Sequence, residues 1–194
     1  MIIMLFLQIR GCMGTGKTTA ARTYIEHKGG FKVEFMNVFG KEYPYTYNAK
    51  ENIVVCGRYD RNVCGGIDGT IHDSKVVKQY VMQLLRLRPE IIVFEGVMYG
   101  LTFKFSSELA MICRLNGYEY KAIVLSPEFN VLLERIYERN GGKPIKVDAL
   151  NDKYMSCLKS SQKLKDSGIY VKFIDSAPIP KQEMWRLIDD ETHR

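Results

Sequence analysis

Gly11-Cys12-Met13-Gly14-Thr15-Gly16-Lys17-Thr18 spells G-x-x-x-x-G-K-T between an apolar run, Ile2 to Ile9, and a helix-forming stretch, Thr19 to His27. A strand, a glycine-rich turn and a helix start, in that order, are the setting a phosphate-binding loop requires. Glycines let the backbone wrap closely around phosphate oxygens, and the N–H groups at the helix start point at the anion. In that setting Lys17 reaches the β/γ-phosphates and Thr18 can hold Mg²⁺. Met13, Gly14, Thr15, Gly16, Lys17, Thr18 and Thr19 are therefore the candidate nucleotide cradle.

Working outward from the loop, strand and helix signals alternate. Ile2 to Ile9, closed by Arg10 and Gly11, predicts a buried strand and is too short to span a bilayer. Ala20, Ala21, Tyr24 and Ile25 fall at helical spacing behind the loop, and Gly29-Gly30 supplies a stop. Lys32 to Val38 suggests a second strand, Gly40 to Asn48 is aromatic and turn-rich without a clear period, and Asn52 to Cys56 is a compact apolar strand. Gly57 to Thr70 is a long, glycine-rich polar loop, a length that points to binding. Thr70-x-x-Asp73 has the form of a capping box before a helix on which Val76, Val77, Tyr80, Val81, Leu84 and Leu85 recur near 3.6 residues, ended by Arg88-Pro89.

Glu90 to Gly96 predicts a central strand that delivers Glu95 at its carboxyl end. Ser106 to Asn116 predicts a helix, Tyr118 to Leu125 a strand, and Ser126-Pro127 the start of the next helix. Asp148 to Ser167 is a long helix with Gly168 as its stop, Ile169 to Ile174 the last strand, and Pro180 to Asp189 a terminal helix. Such alternation with right-handed crossovers predicts an α/β fold, a three-layer α/β/α P-loop NTPase of nucleotide-kinase-like type with a mostly parallel sheet. Residues 1–194 read as a single domain, with a lid over about 127–147. Ligands in such sheets bind at the carboxyl ends of the strands, so Glu95 and the Gly57–Thr70 loop are expected beside Lys17.

Twenty-eight Lys and Arg stand against 22 Asp and Glu, for a net charge of +6 and a pI near 9.0. That excess suits a polyanion, and equally a kinase gripping ATP and a phosphorylated acceptor. Lys143, Lys146, Lys153, Lys159, Lys163 and Lys165 crowd one segment, as a solvated helix face or as a polyanion track. Five cysteines show no C-x-x-C spacing and no secretory leader precedes the first strand, which predicts a reduced, cytoplasmic protein without membrane attachment. His27, His72 and His193 are too scattered to form a ligand-spaced cluster.

Phosphoryl transfer needs a cradle, a carboxylate for Mg²⁺, a group to orient the acceptor hydroxyl, and cations for the moving phosphoryl group. Glu95 is the candidate metal carboxylate, reaching Mg²⁺ directly or through water, or else acting on the acceptor. In the long loop, Asp60 or Asp68 could accept the acceptor's proton, with Asp68, nested between glycines, the stronger candidate; each is also an ordinary turn residue. Arg58 and Tyr59 could clamp a phosphate and stack on a base, with Gly65 and Gly66 admitting substrate; a structural ion pair is the other reading of Arg58. Arg135 and Arg139 share a helical face before Gly141-Gly142, as lid arginines or as partners of Glu134 and Glu138.

The phosphate loop, the strand ending Phe94-Glu95-Gly96 and the Arg135/Arg139 helix together resemble P-loop kinases of the nucleoside/nucleotide kinase group. Asp60-Arg61 is followed by Asn62, so the thymidylate-kinase D-R-[YHS] triplet is missing, as are a nucleoside-kinase E-R-S and a polynucleotide-kinase D-x-x-R after the second strand. The stretch Gly57-Arg58-Tyr59-Asp60 with Gly65-Gly66-Ile67-Asp68-Gly69, Phe94-Glu95-Gly96-Val97, and Arg139-Asn140-Gly141-Gly142-Lys143-Pro144 are similar to bacteriophage 5-hydroxymethyluracil DNA kinases. That resemblance implies ATP-dependent phosphorylation of the 5-hydroxymethyl group of a base inside phage DNA, in the cytoplasm of an infected bacterium. It also implies that Tyr59 and the glycine loop hold an extruded base while the Lys143–Lys165 segment follows the DNA backbone. The alternatives are a deoxynucleoside monophosphate kinase acting on a free deoxynucleotide, and a nucleotide-binding protein without transfer.

Overall fold

The computed structural model describes residues 4–61 and 65–192; Ile2, Cys64 and His193 lie outside the described residues. The elements run β1 (Met4–Arg10), α1 (Lys17–Lys28), β2 (Lys32–Val38), β3 (Lys41–Asn48), β4 (Ile53–Cys56), α2 (Ser74–Arg86) and β5 (Ile91–Glu95). They continue with α3 (Val97–Gly100), α4 (Phe103–Leu115), β6 (Tyr118–Leu125), α5 (Phe129–Arg139), α6 (Val147–Asp166), β7 (Tyr170–Ile174) and α7 (Arg186–Thr192). The strands form one sheet in the order β2-β3-β4-β5-β1-β6-β7, and β1 pairs in parallel with both β5 and β6.

A strand covered on both faces must be apolar on both, which is why the first strand is a continuous hydrophobic run. Leu5, Leu7 and Ile9 face a core shared with Ala20, Ala21 and Tyr24 of α1 and Ile188 of α7. Phe6 faces the opposite core, with Tyr80 and Leu84 of α2 and Leu109 of α4, and stacks on Tyr120 at 5.7 Å between centroids. The helices thus lie on both sides of a mostly parallel sheet, the expected three layers. Arg10 ends β1 fully buried, donating to Gln8 Oε1 at 3.1 Å, Ser160 Oγ at 2.7 Å, Ser161 Oγ at 2.8 Å, and Ser106 Oγ. Burial lowers its pKa, and its neutral partners tie the strand end from which the phosphate loop departs to α4 and α6.

Several boundaries differ from the sequence expectations for identifiable reasons. The stretch from Gly40 to Asn48 contains strand β3, antiparallel to both β2 and β4. Pro44 is tolerated because it lies one residue past Tyr45, the last residue of β3 paired to β4. Asp73 is itself the N-cap of α2, accepting from Lys75 N at 2.7 Å, while Thr70 Oγ1 bonds the Ile67 carbonyl, so the two form no capping box. Ser126 donates its N–H to the Ile174 carbonyl at 2.9 Å, continuing the β6–β7 pairing, and α5 starts at Phe129 with Glu128 as its N-cap. The terminal helix is split into a 3₁₀ turn, Lys181–Glu183, and α7. Among the described residues no helix is long and apolar enough to cross a membrane.

Candidate active site

The loop between β1 and α1 turns on glycines whose backbone a side chain would strain: Gly14 has φ 81° and Gly16, at the N-cap of α1, has φ 98°. Lys17 is 5% exposed, and its ammonium donates to the Cys12 carbonyl at 2.8 Å. Thr15 Oγ1 donates to the same carbonyl at 3.0 Å, and Ser176 Oγ donates to the Thr15 carbonyl at 2.8 Å. The cradle is thus braced from inside and from the loop after β7, with its N–H-rich face left toward the cavity.

Glu95 ends β5 at 2% exposure. Its Oε1 accepts from Thr18 Oγ1 at 2.9 Å and from Tyr59 OH at 3.1 Å. Burial raises the Glu95 pKa against the opposing pull of Lys17, Thr18 and Tyr59. No cluster of three or more His, Cys, Asp or Glu suited to a metal exists among the described residues. One hydroxyl and one carboxylate nevertheless match Mg²⁺, which takes few protein ligands and completes its shell with phosphates and water. Thr18 and Glu95 fit that role.

This arrangement explains Gly65 and Gly66 differently from the expectation that they admit substrate. A Cβ on Gly65 would lie 2.5 Å from the Tyr59 ring, and one on Gly66 would collide with the Glu95 carboxylate. Both glycines are buried under the loop. Tyr59 is 9% exposed and packs in the core beside Val55 and Val93, so it orients Glu95 and offers no open face to a base. Arg58 and Asp60 form a two-pronged ion pair, Nε–Oδ1 at 2.7 Å and Nη2–Oδ2 at 2.8 Å, outside the cavity. The hydrogen bonds from Arg58 hold the Asp60 carboxyl below its ordinary pKa, which makes Asp60 a poor proton acceptor.

Asp68 is the loop acid that reaches the cavity. Its Oδ2 accepts from the N–H of Val97 and from that of Met98 at 3.3 Å, capping the short helix α3 that the sequence did not announce. Its Oδ1 is buried and has no hydrogen-bond partner. Burial raises the Asp68 pKa, while the Val97 and Met98 amides, Lys17 and His72 pull it down.

These groups surround a cavity of about 600 Å³ that gathers Met13, Gly14, Gly16, Lys17, Thr18, Thr19, Asp68 and Glu95 with Arg135 and Arg139 of α5. Arg135 is also anchored, donating to the Ser176 carbonyl at 3.1 Å, while Arg139 is exposed at the end of α5. Val97 and Glu138 line it as well, and the rest of the wall is Ile179, Lys181 and Met184. Sequence reasoning missed these three because an apolar residue or a lysine near a chain end carries no spacing signal. On α6 the exposed Lys153, Lys159, Lys163 and Lys165 are flanked by exposed Asp148 and Asp152 on one side and Asp166 on the other, so the helix carries both signs of charge.

Buried Glu95 and half-buried Asp68, each with a raised pKa, bind protons more tightly folded than unfolded. The contribution of these two groups to stability is therefore fully present below the ordinary carboxylate pKa and is lost as pH rises through the folded value. Glu95→Gln keeps an acceptor oxygen for Thr18 and Tyr59 while removing the buried charge. In magnesium-free buffer near pH 7.5 it is expected to raise Tm by about 2–4 °C, a gain that shrinks below pH 4. A lower Tm at pH 7.5 would show that the charge stabilises the site.

No protein-family model matches the chain. It is 30% identical over 175 residues to the 5-hmdU DNA kinase of Pseudomonas phage M6, an alignment covering 88% of this chain and 91% of that protein. It is 29% identical over 171 residues to the 5-hmdU DNA kinase of Bacillus phage SP10, covering 86% of this chain but 26% of that longer protein. Among solved structures, the Deinococcus radiodurans tunicamycin resistance protein superposes with a TM-score of 0.55 at 16% identity, covering 97% of this chain and 95% of that one, a likeness of fold. With its phosphate loop, its strand-end acid and its sequence kinship along most of its length, the chain belongs to the phage 5-hmdU DNA kinase family of P-loop phosphotransferases.

Proposed function

We propose that this protein transfers the γ-phosphoryl group of ATP, with Mg²⁺, to the 5-hydroxymethyl oxygen of 5-hydroxymethyluracil within DNA. The observation that carries the reading is the division of labour between two carboxylates in one cavity. Glu95 is engaged by Thr18 on the phosphate-loop side, and Asp68 lines the same cavity with no side-chain hydroxyl donating to it. The choice of acceptor rests on the relatives' names, which concern DNA carrying that base.

In this reading the amides of residues 13–19 and the Lys17 ammonium hold the triphosphate. Thr18 and Glu95 would hold Mg²⁺, which would offset charge on the phosphate oxygens. The Asp68 carboxylate accepts the hydroxyl proton while the acceptor oxygen forms its bond to the γ-phosphorus and the bond to the β–γ bridging oxygen breaks, releasing ADP. Arg135 and Arg139, on the segment 127–147 read as a lid, offset the charge spread over the moving group.

The test supplies γ-labelled ATP with hydroxymethyluracil DNA, ordinary DNA of the same sequence, or free deoxynucleotides. Label is expected on the modified DNA at a rate at least about 100-fold above the other two acceptors, as a site that hydrogen-bonds a hydroxyl rejects acceptors lacking it. Label confined to free deoxynucleotides would reject the DNA reading in favour of a nucleotide kinase.

A further inference from the structure

The β2–β3 hairpin takes no part in the chemistry above, yet it leaves the sheet at the edge where the chemistry occurs. Because β3 is antiparallel to both neighbours, β2 points the same way as β4, β5 and β1, and its carboxyl end lies on the side of Glu95 and the phosphate loop. The last β3–β4 pair is Tyr45 with Cys56, whereas the hairpin continues to Lys41 paired with Val38. It therefore overhangs the end of β4 by four residues, about 13 Å at the rise of a strand. Phe35, opposite Pro44, is one step past that last pair, which puts it level with Glu95 along the strand direction and three strands to the side, roughly 14 Å.

Two large aromatic side chains stand in solvent on this overhang: Phe35 is 51% exposed and Phe39, at the tip, is 73% exposed. Phe39 (φ 52°) and Gly40 (φ 81°) form the two-residue turn, braced by Gly40 N donating to Asn37 Oδ1 at 2.9 Å. Asn-Gly is the usual pair for such a turn, and a bulky residue in the left-handed region is strained. An exposed aromatic held at a strained position, where a small polar residue would be more stable, marks a surface kept for binding. The Arg58 guanidinium lies 5.9 Å from the Phe35 ring centroid, Lys41 follows the tip, and Arg61, three residues after Arg58, is exposed. Of the nearby acids, Glu34 accepts from Tyr45 OH and Asp60 is paired with Arg58, while Glu42 is exposed.

We propose that this hairpin is the arm along which the acceptor strand lies, with Phe35 and Phe39 stacking on bases that flank the target and Lys41 and Arg61 meeting its phosphates. The inference rests on the DNA reading above and names how that acceptor is held. Base-on-aromatic stacking tolerates any sequence, and the roughly 20 Å from Glu95 to the tip corresponds to about six nucleotides at 3.4 Å spacing.

The test measures binding of a fluorescein-labelled 12-nucleotide single strand and of a 3-nucleotide strand, each with hydroxymethyluracil at one end, by anisotropy at fixed salt. The wild-type protein is expected to bind the longer strand at least about 10-fold more tightly. Phe39→Asn, which relieves the strained turn, is expected to raise Tm while weakening 12-mer binding about 10-fold, and the double variant Phe35→Ala/Phe39→Ala to abolish the length advantage. ATP affinity reports that each variant is folded. Wild-type 12-mer affinity in both variants would overturn the arm. So would sedimentation showing a wild-type dimer that the double variant dissociates, because the aromatics would then serve self-association. A wild-type protein that binds neither strand but phosphorylates free deoxynucleotides would overturn the DNA reading itself, a result visible before any variant is made.

Discussion

Lys17→Ala is expected to lower the rate of phosphoryl transfer by about 10³-fold, the loss typical of removing a charged donor aimed at charge that develops in the transition state. Its ammonium is nearly sealed from solvent and is held at 2.8 Å by a carbonyl of its own loop, so it awaits phosphate in place and needs little reorganisation. The same geometry makes the variant structurally mild: the lost partner is the Cys12 carbonyl, which still accepts from Thr15 Oγ1. Tm is therefore expected to stay within a few degrees, and ATP affinity to fall less than kcat. Single-turnover transfer with labelled ATP measures the effect, and a folded variant within 10-fold of wild type would remove Lys17 from the cradle.

The phosphate-loop half of the candidate site was legible in the sequence and the half formed by the loop after β4 was not, for a physical reason. A phosphate loop is a local object: its spacing, its glycines and the strand and helix around it fall within about twenty consecutive residues, and the folded loop follows that reading. The parallel strands were equally legible, because burial on both faces writes itself as uninterrupted apolar residues. Long-range pairings leave no such mark. That Arg58 would spend itself on Asp60, and that Tyr59 would turn inward to Glu95, depends on how the loop after β4 folds over β5. Nor does any pattern announce Arg10, which closes a hydrophobic strand in the sequence but is buried by serines 96 and 151 positions away.

The strand β3 illustrates the opposite error. Pro44 and the tyrosines around it obscure a period-2 pattern, since a proline counts against a strand flanked on both sides. Only the register shows that β4 has already ended there, so no ladder on that side is broken. The glycines of the long loop misled in a related way. A glycine signals close approach without saying of what, and here the approaching groups are the protein's own Tyr59 and Glu95.

Asp68→Asn is expected to reduce kcat by about 10²–10⁴-fold with little change in ATP affinity or Tm. The amide oxygen can still accept from Val97 and Met98, so the cap on α3 survives while the proton acceptor is lost. Asp68→Ala removes both, and is expected to add a stability loss of about 1 kcal/mol that the asparagine variant does not show. The pH profile separates Asp68 from Glu95. A base must be ionised to accept the hydroxyl proton, and burial has raised the Asp68 pKa, so wild-type kcat/KM should decline on the acid side at a pH above the value of a free aspartate. Because Glu95 is also raised and the two acids feel one another, the decline belongs to the pair until one is removed. Residual activity of the asparagine variant, freed of the acceptor-side base, should be flatter across that range. An unchanged acid decline in Asp68→Asn, or activity within 10-fold of wild type, would move the proton to Glu95 and make Asp68 a helix cap alone.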